Sequence, residues 1–216
     1  MNNKLIALHF YRLTNPNELT PEQFKKLENE IRQPASKTIS DEYADFKLWY
    51  NGYPSRQYFF KDFLVSRLQG KNISKILEVG CGRTAILSKL LASEGYDLTC
   101  IDPELELSKN FANLKIIKDV FNYQTFNVTY FDLVIAQEPC DATEHIIRSC
   151  INQNVPFIIS LCAAPHKLIS GEIPGDIYKW YIYLKDISPE NIKLEAFCIS
   201  PFVSIIISSS DFSLKL

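Results

Sequence analysis

The chain reads as an α/β protein: a seven-stranded, mostly parallel sheet with an antiparallel last strand, behind an N-terminal helical cover. Three observations predict this. Short apolar runs alternate with amphipathic stretches from residue 76 onward. The first run ends in a glycine turn, Gly80-Cys81-Gly82, that opens a helix. The last two runs, 193–199 and 202–208, are separated only by Ser200-Pro201, so they close the chain as a hairpin rather than a crossover.

The chain has 216 residues and a formal net charge of −2. That length is enough to bury a real core, and we expect a cover over 1–72 and a main domain over 73–216. The near-neutral charge provides no global field that would draw in nucleic acid, although a local basic patch is compatible with it. The six cysteines form no Cys-x-x-Cys pair and several sit inside apolar runs, as in buried, reduced thiols of a cytoplasmic protein. The apolar opening at Leu5-Ile6-Ala7-Leu8 is cut short by Arg12 and has no small-residue cleavage site, so no signal peptide is expected. No apolar run is long enough to span a bilayer.

In chain order, Thr20-Pro21-Glu22-Gln23 opens the first helix, with threonine as cap, proline at the first position and Gln23 as the capping-box partner. Pro34 ends that pattern. Residues 40–50 suit another amphipathic helix, and Asn51-Gly52-Tyr53-Pro54 a turn. Residues 55–68 repeat aromatics at helical spacing (Tyr58, Phe59, Phe60, Phe63), as a core helix does. A sharper reading places Tyr53, Arg56 and Gln57 at the mouth of a ligand pocket.

The first strand precedes Glu78-Val79-Gly80-Cys81-Gly82. Glycines there allow positive φ and close approach of a ligand to the main chain, and the helix that follows offers free N–H groups. The second strand, 97–101, ends in Asp102 before Pro103 stops the ladder. An acid at that tip, about 20 residues beyond the glycines, is placed to accept hydrogen bonds from a ribose, and it equally suits an N-cap for Pro103-Glu104. The third strand is 114–117 and the fourth 131–136. A helix runs from about residue 142 to 149 or 153, and the fifth strand is 155–162. Residues 163–192, with an aromatic stripe of Tyr178, Trp180, Tyr181 and Tyr183, form a candidate substrate-facing insertion or, as aromatic helices more often do, part of the core.

The stretch Glu78-x-Gly80-x-Gly82, with Ile76 and Leu77 before it and Leu87, Leu90 and Leu91 after, resembles the first motif of the class I (Rossmann-like) S-adenosylmethionine (SAM) methyltransferases. Thr84 stands where that family has its third glycine. Phe131-Asp132-Leu133-Val134 is similar to the family's fourth strand. Cys140-Asp141-Ala142-Thr143, and Cys162 with His166-Lys167, resemble the Cys-Asp/Gly-x-x-Thr and Cys-Cys-x-His-Lys motifs of a branch linked to RNA modification. Ala163 replaces the second cysteine of the later motif.

The resemblance implies SAM as cofactor, held by Glu78, Gly80, Cys81, Gly82, Asp102, Pro103, Asp119, Val120 and Gln137. Asp119 and Val120 would meet the adenine, though they also read as an ordinary loop. It implies Glu138 and Asp141 as the candidate catalytic residues, with His145 a further candidate, and Tyr53, Arg56, His166 and Trp180 as candidate contacts to an unidentified methyl acceptor. Asp141 reads more readily as a helix N-cap completed by Glu144 than as a catalytic group, and Glu138 is the preferred candidate.

Two rivals remain open. Gly80-x-Gly82-x-x-Ala85 also satisfies a relaxed dinucleotide fingerprint, so an NAD(P)-dependent oxidoreductase is one alternative. The closing hairpin and the absence of a Tyr-x-x-x-Lys pair argue against it. A non-catalytic SAM-binding or partner-binding relative is the other. Cys140, His145, Cys162 and His166 could gather around zinc, since two parallel strand ends lie close together, but their spacing matches no standard zinc module, and we expect no bound metal.

Overall fold

The computed structural model describes residues 20–32, 56–107, 111–162, 164–188, 192–199 and 202–209. The expected helix over 40–50 and Tyr53 lie outside them. The chain divides into two compact units, one of residues 1–52 with 194–206 and one of 53–193 with 207–216.

In the smaller unit, α1 (Pro21–Arg32) begins as its sequence dictates. The Thr20 hydroxyl accepts from the Gln23 N–H at 3.2 Å, and Gln23 Oε1 accepts from the Thr20 N–H at 2.8 Å. Both halves of the capping box are made. Phe24 and Leu27, about one helical turn apart, are buried.

In the larger unit, α2 (Arg56–Leu68) buries Phe59, Phe60, Phe63, Leu64 and Leu68, so the three phenylalanines of the aromatic stripe are core, while Tyr58 is exposed. It leads into β1 (Lys75–Val79), α3 (Ile86–Ser93), β2 (Asp97–Ile101), β3 (Leu114–Ile117), β4 (Leu133–Gln137), α4 (Ala142–Asn152), β5 (Phe157–Leu161) and α5 (Ile177–Asp186). β6 (Ile192–Ile199) and β7 (Phe202–Ser209) follow. The seven strands lie in the order β3-β2-β1-β4-β5-β7-β6, and β1 to β5 pair in parallel. β7, the last strand in chain order, lies between β5 and β6, and the last strands run antiparallel. A six-strand dinucleotide sheet, ordered 3-2-1-4-5-6, has no such insertion.

β1, β4 and β5 are buried along almost their whole length, as strands covered on both faces are. Asp132 fixes how β4 starts. Its Oδ2 accepts from the N–H groups of Ser74 and Lys75 at 2.9 and 2.8 Å and from the Ser74 hydroxyl at 3.2 Å. The Lys75 and Ser74 amides hold its carboxyl below the usual range against the opposing effect of burial. This Phe-Asp-Leu-Val acid therefore works at the N-terminal end of the sheet, where it aligns β1 with β4.

Candidate functional site

The parallel register brings several strand exits to one edge. The Gly80 N–H continues the ladder to the Ile101 carbonyl at 2.9 Å, the Asp102 N–H to Ile117 at 3.2 Å, and the Glu138 N–H to Ser160 at 2.8 Å. Gly80, Asp102, Lys118-Asp119 and Glu138 thus leave the sheet side by side. Chain order reverses at β1, between β2 and β4, and such a switch point opens a crevice at the carboxyl ends of the strands.

The glycine turn answers two different constraints. Gly80 has φ +73°, and a Cβ there would lie 3.1 Å from Pro139 Cα, so the β4 exit leaves no room for a side chain. Gly82 has φ +68° with nothing within 4 Å of a Cβ position; the space beside it is open. Its N–H donates to Asp102 Oδ2 at 2.9 Å, while Oδ1 of the same carboxylate accepts from the Glu104 N–H at 2.8 Å. Asp102 therefore ties the turn after β1 to the tip of β2 and stays half-exposed. The Glu104 bond is the one expected at Pro103-Glu104, but it closes a turn, and among the described residues 103–107 there is no helix.

Behind the turn, Glu78 is 2% exposed, and the buried Ser88 of α3 donates its hydroxyl to Glu78 Oε2. Burial pushes the Glu78 carboxyl up to about 7, opposed by Ser88 and reinforced by the charge of Asp102. Cys81 packs on the apolar group of Ala85, Cys100 and Leu105. Its contact with the Cys100 thiol, together with burial, keeps it protonated. Ala85 itself holds φ +43° at the start of α3, so after Gly80 and Gly82 the third left-handed position falls at residue 85 and not at Thr84.

At the next exit, Asp119 is exposed and its Oδ1 accepts from the Val120 N–H at 2.7 Å. Val120 is 67% exposed, an apolar side chain held out at a strand end.

The β4 exit is strained. Glu138 and Cys140 both have positive φ, +52° and +53°, on either side of the buried Pro139; non-glycine residues take that region at a cost. Gln137, half-buried, is the last residue of the strand. Glu138 forms an ion pair with Arg56 at the start of α2, which joins one candidate catalytic residue to one candidate substrate contact.

The capping expectation at Asp141 is corrected. Its side chain makes no cap hydrogen bond. Oδ1 accepts instead from the Lys167 N–H at 3.2 Å and stands 3.4 Å from His166 Nδ1. Glu144, the supposed box partner, turns inward, because it is claimed by the Arg148 guanidinium (2.7 Å), the Tyr183 hydroxyl (2.6 Å) and the Ile169 N–H (2.8 Å). Burial pushes the Glu144 carboxyl up, but these three donors outweigh it and hold it below the usual range.

His145 faces Tyr123, with ring centroids 5.4 Å apart. Both line a cavity of about 410 Å³ with Asn122, Asp141 and Lys167. Trp180 is 1% exposed, and its ring lies 5.9 Å from that of His166. Among the described residues, Ser88 and Tyr123 join the site without having been singled out from the sequence, whereas Lys167, half of the His166-Lys167 motif, joins it through its main-chain N–H. A serine on the apolar face of α3 was the one available signal for Ser88.

The architecture has solved counterparts. The N-terminal domain of human METTL16 in complex with SAH superposes with a TM-score of 0.50 at 10% identity, over 80% of this chain and 79% of that one. The chain has the fold of the class I SAM-dependent methyltransferases. The human methyltransferase 10 domain containing protein (TM-score 0.48, 11% identity, 80% and 93% covered) is also similar. So is the precorrin-6y C5,15-methyltransferase of Geobacter metallireducens (0.47, 9%, 76% and 94%). No protein-family model and no curated protein matches the sequence. Among the described residues, no helix is long and apolar enough to cross a membrane.

Proposed function

We propose that this methyltransferase-fold chain binds SAM at the β1–β2–β3 edge and transfers its methyl group to an acceptor that reaches the β4 exit. The observation that carries the reading is the 2.9 Å bond from the Gly82 N–H to Asp102. It sets an open glycine turn against a half-exposed carboxylate at the neighbouring strand tip. The residues fit the group: Gly82 leaves space where a side chain would stand, Asp102 keeps acceptor capacity for ribose hydroxyls, and exposed Val120 offers an apolar face to adenine with Asp119 beside it. Glu78, Gly80, Cys81, Pro103 and Gln137 complete the cradle.

When bound, SAM supplies a methyl group on a sulfonium centre, so the reaction needs positioning more than acid–base help. The chain's part is to hold the acceptor. At the β4 exit Arg56 pairs with Glu138, Asp141 and His145 line one cavity, and His166 lies beside Asp141 and against buried Trp180. Tyr53 is a further candidate contact in this reading. A small molecule, an RNA or a protein is compatible with it as acceptor, and a net charge of −2 gives a nucleic acid no global attraction.

A second reading, a relative that binds SAM without methylating, is favoured by the Arg56–Glu138 pair, which occupies the carboxylate best placed to accept a proton. Calorimetric titration with S-adenosylhomocysteine (SAH) tests the shared part: we expect saturable one-site binding, weakened in Asp102→Ala. Absence of binding to folded protein would remove both readings. Radiolabelled methyl incorporation into RNA, protein or small-molecule pools, lost in Asp102→Ala, separates the first from the second.

A further inference from the structure

The exits of β4 and β5 bring together Cys140, Cys162 and His166. Each offers one ligand atom, and the three atoms lie within 4.8 Å of one another. Their sequence spacing matches no zinc module because the ligands come from two parallel neighbours. The β4–β5 register, Gln137 beside Ser160, puts Cys140 and Cys162 just past adjacent strand ends. His145, the fourth residue of this set in the sequence, faces Tyr123 instead.

The two sulfurs are 3.8 Å apart. With Zn–S bonds of about 2.3 Å in a tetrahedron, the edge between two sulfurs is roughly 3.8 Å. A disulfide, at about 2.05 Å, would require the two strand exits to close much further. The soft donor set of two thiols and an imidazole also suits zinc better than a hard cation. The left-handed backbone of Cys140, φ +53°, is a local cost at the residue whose sulfur meets that of Cys162.

We infer that Cys140, Cys162 and His166 hold one zinc ion through two thiolates and one imidazole nitrogen, with the fourth position open to solvent. Each thiol gives its proton to water as its Zn–S bond forms, so the ion's two positive charges are balanced by two thiolates. His166 ligates through Nε2, because Nδ1 faces Asp141 at 3.4 Å. A carboxylate in that place fixes the tautomer and orients the ring, and Trp180 packs against the imidazole. Three protein ligands with one exchangeable position are the pattern of catalytic zinc sites, whereas structural sites are closed by four. Cys140 is exposed and Cys162 buried, so the ion is reachable from solvent on one side.

The test uses the full, reduced chain. Zn²⁺ is titrated in competition with a chromophoric chelator, and Co²⁺ is added separately for its spectrum. Expected are one equivalent of tightly bound Zn²⁺, proton release approaching two per ion, and a thiolate-to-cobalt charge-transfer band with tetrahedral visible bands. Cys140→Ser and His166→Ala should each lose most of the affinity, and Asp141→Asn should lose about 10–100-fold. Cys140 is exposed, so its variant keeps the fold even where a change at buried Cys162 does not, and circular dichroism checks this.

Binding no tighter than that of a Cys140→Ser/His166→Ala double variant, or a cobalt spectrum without a thiolate band, overturns the inference. SAH titration of the same samples keeps the two readings distinct. Zinc bound without SAH leaves this site standing and sinks the cofactor reading, and SAH bound without zinc does the reverse.

Discussion

Glu78 is a carboxyl group that the fold would rather keep neutral. Burial raises its folded pKa from 4.5 to about 7, so the folded state binds its proton more tightly than the unfolded chain does. The associated stability is complete below pH 4.5 and is lost as pH rises toward and through 7, by about 3 kcal/mol in all. We expect urea unfolding to show a larger fall in stability between pH 5 and pH 8 for the native chain than for Glu78→Gln. Matching pH dependence in the two proteins would show that the buried carboxyl carries no such penalty. The depressed carboxyls, Asp132 and Glu144, act in the opposite sense: their contribution is present above the ordinary carboxylate range and disappears as pH falls below it. The two glycines of the turn separate stability from binding. Gly80→Ala meets both a left-handed backbone and Pro139, and should cost about 2–3 kcal/mol. Gly82→Ala meets only the backbone cost, about 1 kcal/mol, yet places a methyl group in the open cradle. It should therefore weaken SAH binding more than it weakens the fold, as paired melts and titrations will show.

At the scale of elements, Asp132 isolates what aligns β1 with β4. Asp132→Ala removes the acceptor for two backbone N–H groups and one hydroxyl, and should cost about 2 kcal/mol in urea unfolding. SAH affinity should be unchanged, because this contact lies at the N-terminal end of the strands. A loss of affinity matching the loss of stability would mean that the two ends of the sheet are coupled.

Elements whose signals are local were legible in the sequence. The Thr20–Gln23 box, the Phe59–Leu68 stripe, the glycine turn and five apolar strand runs all depend on neighbours a few residues away, which is where periodicity and capping chemistry operate. The β4 exit was not. Asp141-Ala142-Thr143-Glu144 has the composition of a cap, but Arg148, Tyr183 and the Ile169 amide compete for Glu144 from its own helix and from segments far along the chain, and they win. The gathering of Cys140, Cys162 and His166 was legible in the adjacency of two parallel strand ends, although their spacing matches no zinc module, and His145, grouped with them in the sequence, faces Tyr123 instead.

For the molecule as a whole, the division into units gives the cofactor reading a thermal signature. Every residue assigned to SAM lies within 53–193, the larger unit. A ligand that binds only folded protein stabilises by mass action, about 2.7 kcal/mol at one hundred times its dissociation constant. For a chain of this size each kcal/mol moves the midpoint by about 2–4 °C, so saturating SAH should raise it by roughly 5–11 °C. Two compact units need not unfold together. Where scanning calorimetry resolves two transitions, only the one belonging to 53–193 should move with SAH, and it should move less in Gly82→Ala and Asp102→Ala at the same ligand concentration. A shift confined to the other transition would place the ligand on residues outside the glycine turn and the acids beside it, and the site described above would no longer be the cofactor site.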